Sequence, residues 1–167
     1  MAKAGTMKML TPKQLAATWR HNVHKIQVNI EDFEILAGKT AVYAFRQSFL
    51  MNRLNTKGSA KWPRRKDQKR HPLLREHGTL YRSIKYKQVK NKKSRGIRVY
   101  TDPATFAHSP RNPGFVYAGI HNEGGKVAKA GSPARGIAQR QFIGDSSVVM
   151  DELEKLTRTV LFRGFPK

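Results

Sequence analysis

The chain has 167 residues and no cysteine, so it is long enough for one domain but has neither disulfides nor thiolate-held metal to stabilise it. A hydrophobic fraction of 38% and a formal net charge of +22 imply a modest core beneath a large basic surface, with a polyanion as the expected neighbour: DNA, RNA or an acidic protein face. No apolar run approaches the roughly 20 residues that span a bilayer, and the N-terminus lacks the apolar stretch of a signal peptide, so a soluble, cytosolically made protein without membrane contact is expected.

Residues 1–10 carry no periodicity and read as a flexible arm. Thr11-Pro12-Lys13-Gln14 then has the form of a helix start, with a Thr cap, Pro in the first turn and Gln placed to complete a capping box. Leu15, Trp19, Val23, Ile26 and Ile30 recur every three or four residues, the stripe of an amphipathic helix. Asn29 is a candidate cap for a second helical run, with Glu31, Asp32 and Glu34 at its positive end. That run keeps its period from Phe33 through Phe49, weakens at Gly38, and is expected to end near Leu54 as the main core helix.

Periodicity disappears from Lys57 to Arg75, a proline-containing basic stretch in which Trp62 reads as a packing anchor. Between Lys57 and Arg98 there are sixteen Lys and Arg against only Asp67 and Glu76, while the other acids cluster early and late. Leu73, Leu74, Leu80 and Ile84 suggest a short helical turn across Gly78. Ile84–Lys87 and Gly96–Thr101 alternate with period two, predicting a hairpin with one apolar and one cationic face. Residues 102–114, with three prolines, read as a loop. Phe115–Ile120 is apolar and runs into His121-Asn122-Glu123-Gly124-Gly125, where the paired glycines permit positive φ and a change of direction. Residues 124–139 have no apolar period and read as a partner-ordered loop. Arg140–Ile143 fits a short strand, Gly144-Asp145 breaks it, and Val149, Leu153, Leu156 and Val160 mark a last helix.

The expected fold is therefore α+β: a small antiparallel sheet packed against a long N-terminal helix and a C-terminal helix, with long basic loops. After the arm at 1–10, residues 11–167 form one domain, helical over 11–54, a basic loop over 55–72, sheet and loops over 73–144, and a final helix over 145–162.

Catalysis finds little support. His121-Asn122-Glu123 has a superficial likeness to metal-dependent nucleases, but no second histidine at a ligand spacing accompanies it. There is no phosphate-cradling glycine loop and no nucleophile elbow. No enzyme, metal or cofactor is expected. Tyr117, His121, Gly124 and Gly125 are read instead as a structural turn, with the imidazole tying it to the backbone beyond. Arg64, Arg65, Lys69, Arg70, Lys92 and Lys93 are the candidate contacts to phosphates or an acidic partner. Lys126, Lys129, Arg135 and Arg140 are the candidate subunit-interface residues.

Three blocks, in order, resemble the virion morphogenesis or tail-completion proteins of tailed bacteriophages, the broad group that includes the Mu-type G protein. They are Phe45 to Trp62 with the Pro-Arg-Arg that follows, HPLLREHGTLYRSI at 71–84, and YAGIHNEGG at 117–125 joined to RQFIGDS at 140–146. His77 stands where Thr is usual, and Gln139 lies in the usual proline region. The resemblance implies a small α+β protein without catalytic residues, located in the virion at the phage neck or tail end and synthesised in the bacterial host cytoplasm. It implies a ring, with six copies the expected number, that completes the tail and joins it to the head. Its partners would be neck, portal or tail proteins and possibly packaged DNA. The alternative from composition is a basic nucleic-acid-binding module that contacts DNA phosphates.

Overall fold

Thr11 opens the first element by accepting a hydrogen bond from the Gln14 backbone, while the Gln14 side chain accepts from the Thr11 N–H, a complete capping box. In the computed structural model, which describes residues 11–64, 72–91, 94–109, 113–127, 133 and 135–164, the resulting helix α1 runs without interruption over Pro12–Met51. It stops where Asn52 turns left-handed, at φ 52°. The expected break at Asn29 does not occur. Asn29 is buried in the helix interior, where its side-chain amide donates to the carbonyls of Leu161 and Arg163, both at 3.0 Å. Tertiary partners have overridden its local preference for a cap.

The acids that follow do not line a helix N-terminus either. Glu34 is buried and receives two hydrogen bonds from Arg95, Nε–Oε1 at 2.9 Å and Nη2–Oε2 at 3.1 Å. Asp32 pairs with Arg163. These pairs clip α1 to a strand on one side and to the chain's C-terminal turn on the other.

Helix α2, Thr79–Ser83, begins after Gly78, whose φ of 67° marks the entry, and leads directly into β1, Ile84–Asn91. Strand β2, Ser94–Thr101, pairs with β1 antiparallel from Ile84↔Thr101 to Asn91↔Ser94. This register puts Ile84, Tyr86, Ile97 and Val99 on one face, against α1, and Lys85, Lys87 and Arg98 on the other. Gly38, the weak point in the helical period, is where Tyr86 approaches: a Cβ built there would lie 2.1 Å from Tyr86 Cδ2. The glycine admits the ring.

The 102–114 loop is not left unpacked. Asp102 caps a 3₁₀ turn at Pro103–Phe106, and Phe106 is fully buried. Helix α3, Ala118–Glu123, is followed by a second two-stranded antiparallel ladder, β3 at Gly125–Val127 with β4 at Arg135–Ile137. The stretch expected to be a loop is thus partly a strand pair, with 128–132 and 134 outside the described residues. The short strand expected at Arg140–Ile143 is absent, and that segment has no ladder partner among the described residues. Helix α4, Ser147–Leu156, is capped by Ser146 and continues as a π-helical turn at Thr157–Leu161.

The architecture is α+β as expected, except that the β region is two separate two-stranded sheets. The core gathers around Phe49, whose ring meets Trp62 at 5.7 Å, Tyr81 at 5.8 Å and Phe142 at 5.2 Å between centroids. Leu80, Ile84, Phe106, Ala118 and Val149 close it.

Candidate functional site

Three surfaces can meet a partner, and the sequence-predicted residues distribute among them unevenly. The turn comes first because it fixes the others. Tyr117 caps α3 and packs edge-on against Phe106, with centroids 4.9 Å apart. Gly124 and Gly125 have φ of 77° and 144°, as the sequence implied, and a Cβ on Gly124 would press on Gln139 backbone at 3.2 Å. His121 departs from its expected role. It belongs to α3, and its Nδ1 is buried with no hydrogen-bond partner. The fastening is done by its backbone carbonyl, which accepts from Arg140 N at 2.7 Å, and by Asn122, whose Oδ1 accepts from both Phe142 N and Ile143 N at 3.0 Å. Asn122 was not singled out in the sequence, since a lone Asn between a His and a Glu gives no hint of the distant amides it satisfies. Its acceptor replaces the ladder that Arg140–Ile143 lacks.

Burial, together with the nearby Arg140 charge, pushes the His121 imidazole down to about 4. The ring is therefore neutral at physiological pH, set edge-on to Tyr117 at 5.7 Å.

Arg140 itself is turned inward. Its Nε and Nη2 both donate to the Pro63 carbonyl at 3.2 Å, so its guanidinium holds the Trp62 loop instead of projecting toward a neighbour. Trp62 anchors that loop from below, donating Nε1–H to Gln141 O at 2.9 Å. Lys126 and Arg135 stand exposed on the β3–β4 ladder, and the register Lys126↔Gly136 and Val127↔Arg135 puts them on its opposite faces. Lys129 lies outside the described residues.

The cationic surface is the outer face of β1–β2. Lys87 sits directly opposite Arg98, and Lys87 Nζ lies 5.6 Å from the centre of the Tyr100 ring. Lys85 is held by Asp102, and this contact raises the lysine and lowers the carboxyl from their ordinary values. Among the predicted phosphate contacts, Arg64 is exposed at the end of the Trp62 loop. Arg65, Lys69, Arg70, Lys92 and Lys93 fall outside the described residues. Lys87 and Arg98 belong with this group and follow from the same period-two alternation that predicted the hairpin.

The third surface is the first half of α1. Residues 12–24 run about 20 Å with every side chain exposed except a partly covered Asn22. Lys25, bonded to the Gly164 carbonyl at 3.4 Å, is the first side chain to reach a distant part of the chain. Yet Leu15, Trp19, Val23 and Ile26 are 47%, 65%, 48% and 41% exposed, and they continue the same helix face that Ala37 and Ala41 bury farther along. Covering those four side chains is worth on the order of 4–6 kcal/mol before the entropy of association is subtracted.

Among the described residues, no group of three or more His, Asp or Glu is placed to hold a metal, and no helix is long and apolar enough to cross a membrane. No protein-family profile matches the chain, and no curated protein or solved structure is significantly similar to it.

Proposed function

We propose that the chain is a structural virion protein that assembles as a ring at the neck or tail end of a tailed bacteriophage, completing the tail and joining it to the head. The observation that carries this reading is the exposed apolar stripe on the first half of α1. A helix with a wet apolar face, continuous with a core-facing one, is built for a protein neighbour. An identical surface on every copy, meeting a different surface on the next, closes into a ring when the rotation allows it. The three sequence blocks that resemble tail-completion proteins add a second support, because they converge in the structure. Phe49 and Trp62 from the first, Leu80 and Ile84 from the second, and Ala118 and Phe142 from the third all belong to one core.

Negative-stain electron microscopy of the purified full chain tests the proposal. Closed rings are expected, with six copies as the expected number, alone or on addition of a tail or neck partner. Particles that stay monomeric and never join phage heads or tails overturn it.

A second reading, a module that binds nucleic acid, is favoured by the outer face of β1–β2. Two cations facing each other across a ladder repel unless an anion lies between or above them, and Lys87 with Arg98 is such a pair. This reading predicts affinity for duplex DNA that falls steeply with salt and drops when Lys87 and Arg98 are both changed to Gln. Binding indifferent to ionic strength removes it.

A further inference from the structure

Between α1 and the start of β1 lies a groove of about 430 Å³. Lys39, Val42, Tyr43 and Arg46, spaced along one face of α1, form one wall, and Tyr81, Ile84, Lys85 and Tyr86 form the other. Val42 and Ile84 are buried beneath it, whereas Tyr43 is 65% exposed beside them. The volume lies within the range of small-ligand pockets, with room for one or two side chains.

Its charge is one-signed: three of its eight lining residues are cations and none is an acid. The cations are not equally free. Lys85 is occupied by Asp102. The Arg46 guanidinium lies 5.2 Å from the Tyr81 ring centre and donates Nη2–H to the Ile84 carbonyl at 3.1 Å, but its Nε–H is buried with no acceptor. That Nε–H is out of reach of the groove, but no acid among the described residues is paired with the Arg46 guanidinium, whose charge suits a carboxylate. Lys39 is exposed on the same wall.

We infer that this groove receives a short acidic segment of a different protein, one carboxylate meeting Lys39 and Arg46 and an adjacent aromatic or branched apolar side chain lying between Tyr43 and Tyr86 over Val42 and Ile84. A nucleic-acid backbone fits less well, because it asks for a row of cations along its phosphates, and with Lys85 held by Asp102 the groove offers only Lys39 and Arg46. A second copy of the chain is a poor source as well. Six of its eleven acids, Asp32, Glu34, Asp102, Asp151, Glu152 and Glu154, are engaged in ion pairs within the chain, leaving few to set against 33 Lys and Arg.

The inference is independent of ring formation, since a monomer can bind such a peptide and a ring can form without one. The test is fluorescence anisotropy on the full chain at about 150 mM salt. The probes are a labelled synthetic peptide, Gly-Glu-Glu-Leu-Phe-Glu-Gly, its counterpart with every Glu replaced by Gln, and a ten-nucleotide oligothymidylate. Binding of the Glu peptide is expected, with at least tenfold weaker binding of the Gln peptide. Tyr43→Ala and Lys39→Gln, both at exposed positions, should each weaken the Glu peptide about tenfold, a change of about 1.4 kcal/mol. Lys87→Gln, on the outer sheet face, should leave it unchanged. Absence of peptide binding overturns the inference. So does a loss with Lys87→Gln equal to that with Lys39→Gln, which marks diffuse attraction. Tyr43-dependent binding of the oligothymidylate in preference to the peptide also overturns it, making the groove a nucleic-acid site.

Discussion

The two halves of α1 carry the same apolar period and meet opposite fates. From Asn29 to Phe49 the stripe is covered by the β1–β2 hairpin, by α4 and by the aromatic cluster. From Leu15 to Ile26 the stripe stands in water. Helical periodicity therefore marks an apolar face, and says nothing of whether the same chain covers it. The contrast also explains how a long helix with an uncovered half persists. The buried half nucleates it, and the capping box at Thr11 closes the far end, so the exposed half avoids the nucleation cost that makes short isolated helices marginal.

Mutations on either side of this divide should separate cleanly. Phe49→Ala removes the ring at the centre of the core and should cost about 3–5 kcal/mol in urea unfolding; a loss below about 1 kcal/mol would mean the cluster is not the structural centre.

Acid should loosen the buried side next. The His121 pKa in the folded protein, about 4, lies below the 6.5 of the unfolded chain, so the unfolded state takes up the extra proton. The contribution is fully present above pH 6.5 and is lost as the pH falls from 6.5 toward 4. With allowance for partial exposure it amounts to roughly 1–3 kcal/mol. Denaturant midpoints measured across that window should fall in the wild type and fall less in His121→Gln.

At the boundary between the halves, Asn29→Ala strips the Leu161 and Arg163 carbonyls of their donor and should cost about 1–2 kcal/mol. Hydrogen exchange should show the increased opening concentrated at 157–164, where those carbonyls lie. The smallest effect on folding belongs to the exposed half of α1: Trp19→Ser should change monomer stability by no more than about 0.5 kcal/mol, as read by the same urea titration.

The sequence disclosed the features that depend on near neighbours. Thr11 and Gln14 announce the cap, the alternation of Ile84–Lys87 and Gly96–Thr101 announces the hairpin, and Gly124-Gly125 announces a left-handed turn. Trp62 in a run of cations also reads correctly as an anchor. What could not be read depends on residues distant in the chain. Asn29 looks like a cap because Asn favours caps, but Leu161 and Arg163 supply acceptors 132 and 134 positions away. Gly38 looks like a flaw until Tyr86 is laid against it. His121 drew attention as the chemically versatile residue, whereas the neighbouring Asn122 makes the bonds. Arg140, assigned to an interface by its charge, holds Pro63 within its own chain. In the first half of α1 the period was legible, and that no described part of the chain covers it was not, since periodicity is local and cover is not.

Sedimentation velocity on the full chain, wild type beside Leu15→Ser/Trp19→Ser, tests the central claim most directly. The wild type should sediment as a closed oligomer, and the double variant as a monomer with an unchanged urea midpoint. A wild type that remains monomeric at high concentration and with phage neck or tail proteins present, or a double variant that assembles as the wild type does, contradicts it.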